Sequence, residues 1–403
     1  AWEDQVNLGD NDFNDLIAVV RISLDTDGDG LWDDWEQFGV DTNGDGIVDL
    51  DLPALGANRL HKDIFVEIDY MDCATTGGDC ASGDTHSHRP KTDAINEVIQ
   101  AFANAPVTNP DGVDGITLHV DVDDAIPHHN ELPGMCFSAA SGALTFDAVK
   151  ADPAYFGPNN PRRYAYHYVL FTHQQVTSDS WSGCGEVGGN DFQVSLGGWN
   201  YQCAGGVNAG RFCPAARGGV DCPGSACLPL GDTDGDGDDD HDVGSDRQQS
   251  GTFMHELGHN LGLEHGGGNC TNYKPNYLSV MNYHFQFTGI LPGGGLDYSN
   301  VDLPDLDESN LDETIGISDG TDDTRYVCPN GTIRTVSGAG AIDWNCDNGA
   351  APEPDTSVAI NVNWDCFDTV KANCGYCDTG ETGQLTVLDG YDDWPNLVYA
   401  FQN

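Results

Sequence analysis

The residues best suited to chemistry are concentrated in Thr252–His265, TFMHELGHNLGLEH, where His255, Glu256, His259, Gly262 and His265 form the pattern H-E-x-x-H-x-x-G-x-x-H. On a helix, side chains four apart share one face, so His255 and His259 present their imidazoles one turn apart on the same side. Zinc takes imidazole nitrogen readily, and a catalytic zinc has three protein ligands and one open position. Glu256, beside the first ligand, can reach a water in that position. Glycine adopts positive φ at little cost, so Gly262 lets the chain turn sharply and bring His265 back as the third ligand. A lone histidine is usually a satisfied core residue. Three at these spacings, with the glutamate and glycine in place, point to one catalytic Zn2+ on His255, His259 and His265. The matching reaction is peptide hydrolysis by a zinc-activated water, with Glu256 as general base and then proton donor to the leaving amine. It needs no serine or cysteine nucleophile. His128, His129, His167 and His173 read as structural or exposed rather than as ligands.

Aspartate-rich loops carry a second chemistry. Asp25, Asp27, Asp29, Leu31, Asp33 and Glu36 fall at the ligand positions of an EF-hand-type calcium loop, with Leu31 contributing its carbonyl and Gly30 at the turn. Asp41, Asn43, Asp45, Ile47 and Asp49 repeat the front half, but Leu52 stands where the closing glutamate belongs. That pattern is closer to the truncated loops of thrombospondin type 3 or dockerin-like repeats. Asp232, Asp234, Asp236, Asp238 and Asp240 form a third, also truncated, set just before the zinc helix, whose start it is placed to fix. Two or more structural Ca2+ ions are expected. The competing reading of each stretch is a solvated acidic turn.

HELGHNLGLEH followed by Ser279-Val280-Met281-Asn282-Tyr283 resembles the metzincin clan of zinc endopeptidases, in which the extended zinc motif is followed by a methionine turn. With the aspartate-rich loops, the likeness is to secreted bacterial members. The resemblance implies that Met281 is an apolar floor under the metal. It also implies that Tyr283 sits near the zinc as a switchable ligand or oxyanion stabiliser. Gly266, at the position that sorts subfamilies, matches none of the best-known groups.

The elements that must position these residues are legible as patterns. Lys62–Tyr70, Ile116–Val122, Tyr164–Thr172 and Gly189–Leu196 read as strands, and Thr92–Ala105 has apolar residues at helical spacing. Strand, helix, three strands and the zinc helix is the metzincin order. The expected fold class is α+β: a twisted, mostly parallel sheet with an antiparallel edge strand, a backing helix and the active-site helix, plus calcium-loop and disulfide-rich additions. In the family the last strand before the zinc helix is the edge that lines the cleft. Asn190, Phe192 and Val194 are therefore the expected substrate-binding edge, able to pair with an extended peptide. A plain sheet edge without that role is the alternative. The expected organisation is an N-terminal strand and calcium-loop region (1–58), a catalytic domain (59–299) with a Cys-rich insertion (198–247), and a Cys/Asp-rich C-terminal subdomain (300–403).

Composition bounds the partners. Lys+Arg 15 against Asp+Glu 66 gives a formal charge of -51 over 403 residues. Such a surface repels nucleic acid and anionic membranes, and calcium sets absorb only part of it. No apolar run approaches the length of a membrane span. Cys 14, an even count at short spacings, suggests disulfides and an extracellular setting. Proximity suggests the pairs Cys73–Cys80, Cys222–Cys227 and Cys328–Cys346. The chain opens at Ala1 and reads as a processed product or a chain whose upstream part is missing. Residues 1–24 resemble the closing strand of calcium-dependent β-sandwich modules. That strand motivates a rival reading, an extracellular adhesive or filament-forming calcium-binding protein on an inactive metzincin core, self-associating by strand addition. The ending Gly390–Leu397 resembles the close of secreted bacterial metalloproteases.

Overall fold

The computed structural model describes residues 24–83, 85–176, 181–205, 213, 222, 225–231, 241–318, 320, 322–329, 332–347, 355–363 and 385–399. The N-terminal strand expected within 1–24 and the third aspartate set, 232–240, lie outside the described residues apart from Leu24.

The fold is mixed α+β around a five-stranded sheet. Strand β1 (Asp63–Asp72) is buried along nearly its whole length. It pairs in parallel with β2 (Thr117–Pro127) on one side and β3 (Tyr166–Thr172) on the other. Strand β5 (Asp191–Ser195) lies parallel to β3, and the short β4 (Gly183–Gly185) closes the sheet antiparallel to β5. The order is β2-β1-β3-β5-β4.

This order corrects one expectation. Residues 191–195 form an internal strand, and Gly183–Gly185 is the antiparallel edge. Asn190, Phe192 and Val194 are buried. Phe192 meets Phe253 edge-on at 5.3 Å between ring centroids, and Asn190 donates to the Tyr166 carbonyl. Residues 191–195 are buried at every position, as an internal parallel strand is, whereas the edge Gly183-Cys184-Gly185 has side chains too small to mark it as a strand.

Strand alternation divides β1 between two cores. Ile64, Val66 and Ile68 pack on one face with Ile95, Val98 and Phe102 of a helix at Thr92–Ala103, and with Phe253, Met254 and Leu257 of the motif helix at Asp246–Asn260. Phe65 and Met71 turn to the other face, covered by Leu31, Val40, Leu50 and Leu52 from the first aspartate-rich region and by Phe146 and Val149 of a short helix at Phe146–Lys150. The polar residues of β1 are buried too, and each is answered: Glu67 accepts from Arg162 at 2.8 Å, and Asp69 accepts from the Tyr168 hydroxyl at 2.7 Å.

In the insertion, β6 (Tyr201–Cys203) pairs with β7 (Cys227–Pro229). The expected Cys222–Cys227 bridge is replaced by Cys203–Cys222 and Cys213–Cys227. Cys203 and Cys227 face each other across the ladder, and each takes its partner from the intervening segment. The pairs Cys73–Cys80 and Cys328–Cys346 form as expected, and Cys136 joins Cys184 of β4. The Gly390–Leu397 ending returns to the main core. Trp394 and Leu397 are buried there, Asp393 accepts from the Tyr277 hydroxyl and from Ser299 N, and Val398 N bonds to Leu261 O at the end of the motif helix. Among the described residues no helix is long and apolar enough to cross a membrane.

Candidate metal and catalytic site

The motif helix is fixed at both ends by its own sequence. The Ser245 side chain accepts from Gln248 N while the Gln248 side chain reaches back to Ser245 N, a complete capping box. At the other end Leu263 N bonds to Gly258 O and Gly262 N to His259 O. This is the Schellman closure, with Gly262 at φ 87 in the left-handed region that a glycine adopts without strain.

That reversal aims the Leu263 carbonyl at His259 Nδ1, 2.8 Å away. The Val280 carbonyl, in the methionine-turn segment, meets His255 Nδ1 at 2.9 Å. A carbonyl only accepts, so in both rings Nδ1 is the protonated nitrogen and Nε2 keeps its lone pair. Metal-ligating histidines are held in this way by outer-shell acceptors. His255, His259 and His265 each bring one nitrogen into a group whose members all lie within 4.8 Å of one another. Burial pushes the His255 imidazole down to about 3 and His259 to about 4, and holds His265 well below the usual histidine range. The three rings are therefore neutral donors near pH 7. Their number, chemistry and convergence fit a zinc ion.

Glu256 is 5% exposed, and burial pushes its carboxyl well above the usual carboxylate range. The edge strand lies directly against it. A Cβ placed on Gly183 would stand 2.7 Å from Glu256 Oε1, and one on Gly185 would stand 2.7 Å from the Glu256 carbonyl oxygen. The turn between β4 and β5 is tied to the helix by Gly188 N to His259 O at 2.8 Å. Asn260 Nδ2 adds bonds to the carbonyls of Glu186 and Asp191. His167, expected to be structural, is buried with Nδ1 3.1 Å from Asn260 Oδ1 and so joins β3 to the same helix.

Met281 is fully buried beneath the helix, where Gly258 leaves space for its sulfur and a Cβ would not fit. The Tyr283 ring centroid lies 4.6 Å from that of His265 and 5.5 Å from that of His255. Sequence reasoning missed the two orienting carbonyls and the edge glycines. The Gly-Cys-Gly triplet at 183–185 was the available signal, since it is a strand with no side chain on the face toward the helix.

Of the first aspartate-rich loop, Asp25, Asp27 and Asp29 bring carboxylate oxygens within 4.8 Å of one another. Asp25 is held by the backbone N–H groups of Gly28 and Gly30. The carboxylate oxygens of Asp27 and Glu36 are buried without a hydrogen-bond partner among the described residues. Buried orphan carboxylates are costly unless a cation compensates them, so Asp25, Asp27, Asp29 and Glu36 fit calcium. The Leu31 side chain is buried in the back-face core. Both oxygens of Asp33 accept from Thr26, one from its N–H and one from its hydroxyl, closing the loop. In the second loop a single oxygen of Asp49, Oδ2, accepts from both the N–H and the hydroxyl of Thr42. There Asp41 accepts from Gly44 and Gly46, Asn43 from Asp45 N, and Asp45 from Ile47 N, all on the surface.

No protein-family model matches the chain, and no curated protein or solved structure matches it either.

Proposed function

We propose that the chain is a secreted zinc-dependent endopeptidase with a metzincin-like catalytic centre. The observation that carries this reading is the convergence of the His255, His259 and His265 nitrogens, within 4.8 Å of one another, beside the buried carboxyl of Glu256. His255, His259 and His265 would hold the ion. Zinc supplies Lewis-acid polarisation of a carbonyl and lowers the pKa of a water. The chain's own residues do the rest. Beside the cation, whose charge favours the ionised carboxylate over the protonated form that burial alone would favour, Glu256 would take a proton from the attacking water and deliver it to the leaving amine. Tyr283, whose ring lies tilted beside that of His265, would donate to the developing oxyanion. An extended peptide substrate pairs with the open side of β4, whose glycines let it lie close to Glu256. Structural calcium in the first loop braces the back face of the sheet, and five disulfides among the described residues fit an oxidising, extracellular compartment.

The test is Glu256→Gln. Turnover of a peptide library should fall about 10²–10⁴-fold with bound zinc unchanged. Wild-type turnover in that variant, or no zinc on the native chain, would remove the hydrolase reading. The adhesive or filament-forming alternative rests on the N-terminal strand, outside the described residues, and no described contact favours it.

A further inference from the structure

A second group of imidazoles stands apart from the helix motif. His128 follows the last residue of β2, and His173 follows the last residue of β3. His86 and His88 lie on the segment that returns along the end of β1. There Ser87 bridges Asp72, His88 N bonds to Met71 O, and Cys73 N bonds to His86 O. Residues two apart on an extended segment face the same way, so His86 and His88 point together while Ser87 turns aside to Asp72. The carboxyl ends of three neighbouring parallel strands thus deliver four histidines to one place.

We propose that His86, His88, His128 and His173 form a second metal site, which holds one structural zinc ion in a closed shell of four imidazole nitrogens.

The geometry carries this. One nitrogen from each ring lies within 4.8 Å of the other three. His86 Nε2 is 3.0 Å from His128 Nε2, and His88 Nε2 is 3.3 Å from His173 Nδ1. Ligands about 2.0–2.1 Å from a tetrahedral zinc are separated by about 3.3 Å, so both contacts match edges of that tetrahedron. The rings meet mostly edge to face, with centroids 4.6 Å apart for His86–His128 and 5.3 Å for His88–His173. The site also has an outer shell. Asp79 Oδ1 lies 3.3 Å from His128 Nδ1, which sets the tautomer that leaves Nε2 toward the cluster. Asp79 is itself held by Asn130 N and sits in the loop closed by the Cys73–Cys80 disulfide. Gly197 makes room for His173, because a Cβ at that position would overlap the imidazole. His88 and His128 are 3% and 1% exposed. Four imidazole donors with no thiolate or carboxylate among them suit a borderline ion such as zinc. Four protein ligands leave no open position, so the site is structural and pins the strand ends. None of the four residues belongs to the helix motif, and the inference stands whether or not the chain is a peptidase.

The experiment uses the full chain carrying His255→Ala and His259→Ala, which removes the motif site. It is dialysed with micromolar zinc and excess calcium, and its metal content and X-ray absorption are measured. One zinc per chain should remain, with four nitrogen neighbours at about 2.0 Å. Adding His86→Ala and His173→Ala should lower zinc to zero. Absence of zinc from the first variant in a folded state, or a shell containing sulfur, overturns the proposal. So does zinc retained after the second pair of changes. The absorption measurement is made with the four-histidine cluster intact, so it remains decisive even if the quadruple variant fails to fold.

Discussion

Gly183 and Glu256 are fitted together with no space for a methyl group: a Cβ on Gly183 would lie 2.7 Å from Glu256 Oε1 and 2.7 Å from the Gln193 carbonyl oxygen. The sheet edge and the proposed general base are thus one packed unit. In the proposed peptidase, a substrate strand added to this edge would be brought to the carboxyl that serves it.

Gly183→Ala tests that unit. The methyl group must displace either the Glu256 side chain or the β5 backbone, and overpacking of this kind costs about 1–3 kcal/mol. A shift of the carboxyl by a fraction of its working distance should lower kcat about 10–100-fold with zinc content unchanged. Steady-state kinetics alongside metal analysis checks this. Unaltered kcat in a folded variant means the edge does not position Glu256.

The Cys136–Cys184 bridge should matter more to substrate binding than to chemistry. It anchors the middle residue of β4 to a segment 48 residues earlier, and a loop of that length corresponds to about 4 kcal/mol of unfolded-state entropy at most. Replacing both cysteines by serine should lower Tm and raise KM for extended peptides, because a frayed edge must be ordered before it pairs. A variant with wild-type KM would show that the edge holds its shape without the bridge.

Calcium and pH should act on the first loop in a linked way. Burial, with the neighbouring carboxylates adding to it, raises Asp27 to about 6, Asp29 to about 8 and Glu36 to about 9. In the unfolded chain these groups titrate near about 4. Between those limits the cation-free native state binds more protons than the unfolded state, so its stability falls as pH rises from about 4 to about 9. Calcium replaces those protons, and the rise in Tm on adding it should therefore grow from pH 5 to pH 8. Glu36→Gln should shrink the calcium-dependent rise. Thermal scans with calcium and with chelator give the comparison, and equal Tm values at pH 8 would refute a calcium site here.

The sequence by itself determined what is local. His255 and His259 share a face because they are four apart on one helix, and Gly262 ends that helix because the left-handed turn admits glycine. The first aspartate loop is legible because Asp25, Asp27, Asp29 and Glu36 lie along one short run. The strands read at 62–70 and 164–172 form at Asp63–Asp72 and Tyr166–Thr172. Only the tertiary structure decided what depends on distant segments meeting. Strand order made 191–195 internal and gave the edge to Gly183–Gly185, where close packing on Glu256 removes the side chains that would announce a strand. It crossed the insertion's disulfides through the pairing of Cys203 with Cys227. It also returned Trp394 to the main core and Val398 to the end of the motif helix. His128 and His173 lie 45 positions apart, so no local spacing marks them as a pair. Parallel strands begin at one edge and end at the other whatever their spacing in sequence, and the segment paired with the end of β1 brings His86 and His88 to the same edge.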